Sequence, residues 1–182
     1  MDRDSFDKLF DAEIAQPLLE VGFVAVGKSL HLVKSHFHVA LIRLGGRFSM
    51  PGSIASSLCF RHSFLRLVEA ESNAEVFKLG VFDFPYKLTL KESRGWLWKL
   101  RYESRLLNYP YDRFDFSGLS ERKVVTQLVS DRVFLLQKFL PVALAKLPRE
   151  TRAEILRFGT DGWCEKRWIE DYDSHLESGG ST

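Results

Sequence analysis

The sequence predicts a two-layer α+β fold, with an antiparallel β-sheet of about 4–6 strands packed against an N-terminal helix and a set of C-terminal helices. Three changes of pattern lead there. Apolar residues recur every four positions at the start of the chain, alternate in and out through the middle, and return to a helical spacing in the last third. The chain contains no internal repeat and no linker, so one domain is expected over 1–178, with a flexible tail over 179–182.

The first helix is expected over 4–21. Phe6, Phe10, Ile14 and Leu18 form its buried stripe, and acidic residues in its first turns favour the helix dipole. Pro17 should kink or shorten the last turn, and Gly22 should stop it. The sheet is expected over 23–103. In GFVAVGKSLHLVKSHFHVALIRLGG, residues 22–46, a turn at Ser35-His36 sets Leu30 opposite Leu41 and Leu32 opposite Val39, which makes one face wholly aliphatic. RFSMPGSIAS, residues 47–56, reads as a loop around Pro51-Gly52. Strands follow near 57–67, 86–91 and 96–103, with Phe82, Phe84 and Pro85 in the connection between the first two. Helices are expected over 120–140, 149–158 and 161–176. Ser120 is the N-cap of the first, with Leu119 and Val124 as its hydrophobic staple. Its apolar stripe is Val125, Val129, Val133, Leu136 and Leu140, and Pro141 interrupts it.

Fifteen Phe and four Trp supply a generous core, and 45 % hydrophobic with 27 % charged residues is ordinary for a soluble globular protein. The two cysteines, Cys59 and Cys164, stand more than a hundred residues apart. That argues against a disulfide scaffold and suits a reducing cytoplasm. MDRDSFDKLF carries acids and no apolar segment, so no signal peptide is expected, and no run is long enough to span a membrane. Charge is unevenly placed. Residues 22–110 hold thirteen Lys/Arg against six Asp/Glu, whereas 161–177 hold six acids against Lys166 and Arg167.

SLCFRHSFLR, residues 57–66, tests for catalysis. On a strand Cys59 and His62 point to opposite faces, so they cannot make the hydrogen-bonded pair that a thiolate nucleophile requires. Cys59 is expected to be a small buried hydrophobe. In the hairpin register His31 and His38 lie diagonally on one outer face, with His36 of the same parity. Such a cluster could hold zinc, yet no HExxH or CxxC accompanies it, and surface histidines on a half-solvated sheet face are the expectation. GWLWKLRYESR, residues 95–105, mixes aromatics and cations, but strand alternation sends Trp96, Trp98, Leu100 and Tyr102 to one face and Lys99 and Arg101 to the other. No phosphate-binding glycine motif and no nucleophile elbow occur. Asp112, Asp115, Asp161, Glu170 and Asp171 read as caps and ion-pair partners. No catalytic residue, cofactor or metal is therefore assigned.

A first helix ending in PLLEVGFVAVGKSLHLV, followed by strands carrying SLCFRHSFLR, resembles a bacterial family known as domain of unknown function 4304. The resemblance covers residues from about 6 to about 140 and leaves the last helices outside it. It implies a small bacterial α+β domain and supplies no catalytic residues.

The functional expectation is a non-enzymatic protein-binding module. GWCEKRWIEDYD, residues 162–173, places aromatics among acids. Cys164, Trp168 and Tyr172 form a core-facing stripe, and Trp163 falls to one side as an interface anchor beside Glu165, Glu170, Asp171 and Asp173. An immunity protein would use such a helix to cover the basic active site of a toxin. The alternative is a nucleic-acid binder with Arg43, Arg47, Arg61, Lys99 and Arg101 on phosphates.

Overall fold

Asp2 starts the first helix by accepting the Ser5 N–H at 2.7 Å. The helix runs as Arg3–Phe10, widens into a π-turn at Asp11–Ala15 and resumes as Gln16–Glu20; together these are α1. Pro17 therefore does not shorten it. Proline has no N–H to offer the carbonyl of Glu13, and that carbonyl instead accepts from Arg132 at 3.2 Å. Gly22, at φ +98°, ends α1. Its N–H bonds to the Leu19 carbonyl and that of Phe23 to the Leu18 carbonyl, each at 3.0 Å, which is the paired bonding of a Schellman motif. Phe23 and Leu18 are both buried, the apolar contact that accompanies the motif.

The computed structural model describes residues 1–34, 36–45, 50–66, 79–88, 112–158 and 162–179. Expectations that fall on 46–49, 89–111 and 159–161, including the strand at 96–103, lie outside them. Six strands are described: β1 Val24–Val26, β2 Ser29–Lys34, β3 Phe37–Leu44, β4 Ser53–His62, β5 Tyr86–Leu88 and β6 Asp112–Asp115. All pair antiparallel in the order β1-β2-β3-β4-β5, and β6 takes the half of β4 that β5 leaves free. The expected hairpin register holds, with Leu30 opposite Leu41 and Leu32 opposite Val39.

Two strand boundaries differ from expectation. β4 begins at Ser53 rather than Ser57, because Ser53–Ser56 pair with β6 over Asp112–Asp115. Small polar residues hid one strand and carboxylates the other; only Phe114 marks the inner face of β6, 5.9 Å from the Phe6 ring. β4 ends at His62 rather than 67, where the Ser63 N–H bonds the His36 carbonyl and the chain turns.

One face of the sheet carries Leu30, Leu32, Val39, Leu41, Leu58 and Phe60. It buries them against Phe6, Phe10, Ile14 and Leu18 of α1 and against Val124, Leu128, Leu135 and Phe139 of a second helix. That helix, α2, runs as Glu121–Phe134, a π-turn at Leu135–Phe139 and Leu140–Ala145. It passes Pro141 as α1 passes Pro17. Its buried apolar residues are Val124, Leu128, Leu135, Phe139 and Ala143; of the expected Val125, Val129, Val133, Leu136 and Leu140, Leu136 and Leu140 pack partly buried against this core, whereas Val133 is exposed. Valine and leucine lie around most of this helix, and the π-turn shifts the frame by one residue, so a fixed period misassigns the inward side. Ser120 stands at the N-cap in extended conformation, with no capping bond from its side chain. α3, Pro148–Phe158, and α4, Trp163–Glu177, complete the chain.

The second sheet face is also covered. Ala40, Ile42 and Cys59 pack with Val81 and Phe84, which flank and enter the 3-10 turn Val81–Asp83. His31 and His38, expected on a half-solvated surface, are each 1 % exposed. Their rings meet, His31 Nδ1 to His38 Nε2 at 3.0 Å, and the His38 ring stands edge-on to Phe84.

Candidate protein-binding surface on the last helix

α4 is pinned by its inner stripe. Cys164, Trp168 and Tyr172 pack with Leu65 and Ile155 in a second core cluster, bordered by Phe64 and Ile169. Within it His62 bridges three elements. Its Nε2 lies 2.9 Å from the Lys146 carbonyl, and its Nδ1 lies 2.7 Å from the Tyr172 hydroxyl. A carbonyl only accepts, so Nε2 carries the proton and Nδ1 accepts from Tyr172. Burial lowers the His62 pKa to about 4, so the ring is neutral when it makes these bonds. Burial likewise raises the Tyr172 pKa and keeps the phenol protonated as the donor.

A second clamp comes from the turn after β4. The Arg66 backbone N–H donates to Asp171 Oδ2 at 2.9 Å, and its guanidinium donates to the other oxygen of the same carboxylate. Arg66 also reaches Glu170 at 3.3 Å. The guanidinium pKa is raised by its bond to Asp171.

Opposite the pinned stripe, Trp163, Arg167, Glu170 and Ser174 follow one another at steps of four, three and four, which places them on one side of α4. Trp163 is 61 % exposed, and the Arg167 guanidinium lies over its ring at 5.5 Å. The Glu170 side chain is 70 % exposed. Beyond it opens a cleft of about 480 Å³ lined by Phe64, Arg66, Glu170, Ser174, His175 and Ser178, with Asp171 at its base. Phe64 and His175 stack as one wall, their rings 3.9 Å apart and 4° from parallel.

The five expected anchor residues thus divide. Trp163 and Glu170 face solvent. Asp173 sits at the margin, paired with Arg152. Glu165 and Asp171 are buried, Glu165 with its carboxylate against Gly162 at the helix start and Asp171 in the Arg66 clamp. Sequence reasoning missed Phe64, Arg66 and His175, because the cleft joins residues more than a hundred positions apart with no local motif to mark them.

Elsewhere the separation of Cys59 and His62 holds. Cys59 faces the cluster around Phe84, and His62 faces Tyr172 across the sheet. Arg43 and Arg61 do not stand on a solvated face. Arg43 pairs with Asp7 at 2.7 Å beneath α1 and lies 4.4 Å from the Phe10 ring centre. Arg61 is 3 % exposed and donates to the carbonyls of His62 and Leu65, and burial lowers its pKa to about 10. Both are aimed inward because β4 and β3 are central strands covered on either face. Arg47, Lys99 and Arg101 lie outside the described residues. Among the described residues no third ligand joins His31 and His38 in a metal-binding group, and no helix is long and apolar enough to cross a membrane.

Comparison with protein-family models, with curated proteins and with solved structures finds no match to this chain.

Proposed function

We propose that the protein is a non-enzymatic binding module whose working surface is the outer side of α4, and that its partner is a protein presenting a basic patch. One observation carries this reading: a tryptophan stands in solvent on an acidic helix whose opposite stripe is fixed to the sheet. Exposing so large an apolar side chain gains nothing for the folded monomer, whereas tryptophan is the residue type most enriched among interface hot spots. A rigidly mounted anchor also loses little entropy on binding. Of the four acids from Trp168 to Glu177, Asp171 is clamped by Arg66 and Asp173 pairs with Arg152, which leaves the exposed Glu170 and Glu177 to steer toward a basic surface. In the immunity form of this proposal that surface is the active site of a toxin, which α4 covers so that substrate cannot enter.

Trp163→Ala combined with Glu170→Lys is expected to weaken the complex at least about 30-fold, the equivalent of a 2 kcal/mol hot spot. The partner is first recovered by affinity purification from the source organism, and calorimetry with the purified pair measures the loss. Trp163 stands in solvent and the Glu170–Arg66 contact is an exposed ion pair, so the thermal melt should fall by no more than about 2–4 °C. Undiminished affinity in the double variant contradicts the proposal.

A further inference from the structure

We infer that β1 pairs antiparallel with β1 of a second copy of this chain, about a two-fold axis at Ala25, so that the two sheets become one. β1 ends the sheet, and among the described residues only β2 bonds to it. Residues 24–28 are all exposed, while Phe23 before them and Leu30 after them are buried. The strand therefore projects past the helical layer with its outer backbone groups turned to solvent.

The exposed side chains are apolar. Val24 and Val26 point to one face of the sheet, and Val33 lies diagonally from Val24 across β2. Val24, Val26 and Val33 are 37–49 % exposed and share that face. Edge strands are ordinarily guarded by lysine, proline, a bulge or shortness. VGFVAVG, residues 21–27, has no charge and no proline, and its pairing with β2 is continuous. Shortness is the one guard present, and it limits the association to a few hydrogen bonds.

A second copy fits this edge because the strand is complementary to itself. Turned about Ala25, Val24 of one copy lies opposite Val26 of the other, and the four valines make one row on one face. Antiparallel pairing also brings the Lys28 end of each strand to the Gly22 end of the other. Lys28 itself is held by Asp7 of its own chain, so the valine row and not charge carries the self-recognition. The inference is independent of the role of α4.

Sedimentation velocity on the full chain tests it. The weight-average sedimentation coefficient should rise from monomer toward dimer between about 1 and about 200 µM, as expected of an interface at the small end of the size range. Val24→Lys with Val26→Lys should stay monomeric over the same range with an unchanged circular dichroism spectrum, since both side chains are in solvent. Ala25→Cys should form an intermolecular disulfide under mild oxidation, because directly opposed residues bring their Cα atoms to about 5.5 Å, within the span a disulfide bridges, and Val33→Cys should not. A wild-type chain that stays monomeric throughout, as it would if the edge served another protein's strand, overturns the inference. So does a dimer untouched by the double lysine variant, or one that cross-links through position 33 and not through 25.

Discussion

Acidifying the protein from about pH 7 to about pH 4 is expected to remove most of its stability, the largest effect that the structure implies. Three histidines are buried in neutral form. Burial holds His31 and His62 at about 4, and burial together with the neighbouring His31 and Arg61 holds His38 at about 3. The unfolded chain titrates its histidines near the ordinary value of about 6.5, so it binds more protons than the folded chain everywhere between the two values. The stabilisation is therefore complete above about pH 7, drains away as the pH falls through about 6, and is gone near the folded values. Each site contributes on the order of 3 kcal/mol, although His31 and His38 share a hydrogen bond and act as one coupled unit. That is comparable with the whole stability of an ordinary domain, roughly 5–15 kcal/mol. Urea midpoints measured from about pH 7.5 down to about pH 5 should fall steadily. His38→Gln should flatten the slope, because it removes one titrating ring from the buried pair. A midpoint that stays level across this range contradicts the burial of all three rings.

Tyr172→Ala is expected to cost about 4 kcal/mol, and Tyr172→Phe about 1–3 kcal/mol. The first removes a fully buried ring from a cluster built around few other large side chains, Trp168 and Ile155 among them. The second keeps the ring and deletes only the hydroxyl, which leaves His62 Nδ1 buried without its donor. The two losses are expected to be localised. Hydrogen exchange should accelerate in α4 and α3, whose packing depends on this cluster, well before it accelerates in β2 and β3, which belong to the larger core. Equal acceleration in the sheet would show that the helices are not separately fastened.

Much of the fold was legible in the residues, and the successes share a cause. The β2–β3 register followed from matching aliphatic residues on one face, since a slip by one residue would have turned Leu30 and Leu32 outward. Strand alternation alone separated Cys59 from His62 and removed a catalytic pair that proximity in sequence suggested. The i, i+4, i+8 stripe of Cys164, Trp168 and Tyr172 identified the buried side of α4 and left Trp163 outside it.

The misses have causes too. Both prolines sit just past a π-turn, a backbone adjustment with no residue signature, so each helix runs on where proline was expected to break it. Ser53–Ser56 and Asp112–Asp115 form a strand pair from residues that ordinarily favour loops, because β4 lies in the centre of the sheet and burial on both faces outweighs propensity. The second face was misread for the same reason. His31, His38 and Arg61 resemble surface residues, but among the described residues Val81 and Phe84 arrive from a segment about twenty positions after β4 and pack on that face, Phe84 against the His38 ring. The candidate surface was half legible. The exposed anchor and Glu170 could be read from one helix, but Asp171 belongs to a clamp whose other half, Arg66, is set by the chain's path after β4.

Placing a photo-crosslinking amino acid at the exposed Ser174, on the same side of α4 as Trp163 and Glu170, in the source organism tests most directly whether that side is the working surface. One protein should be captured under illumination, with its cross-link mapping to a basic patch, and Glu170→Lys should abolish the capture while the fold persists. Capture of no protein, or of the same protein with equal yield in the Glu170→Lys background, would contradict the account.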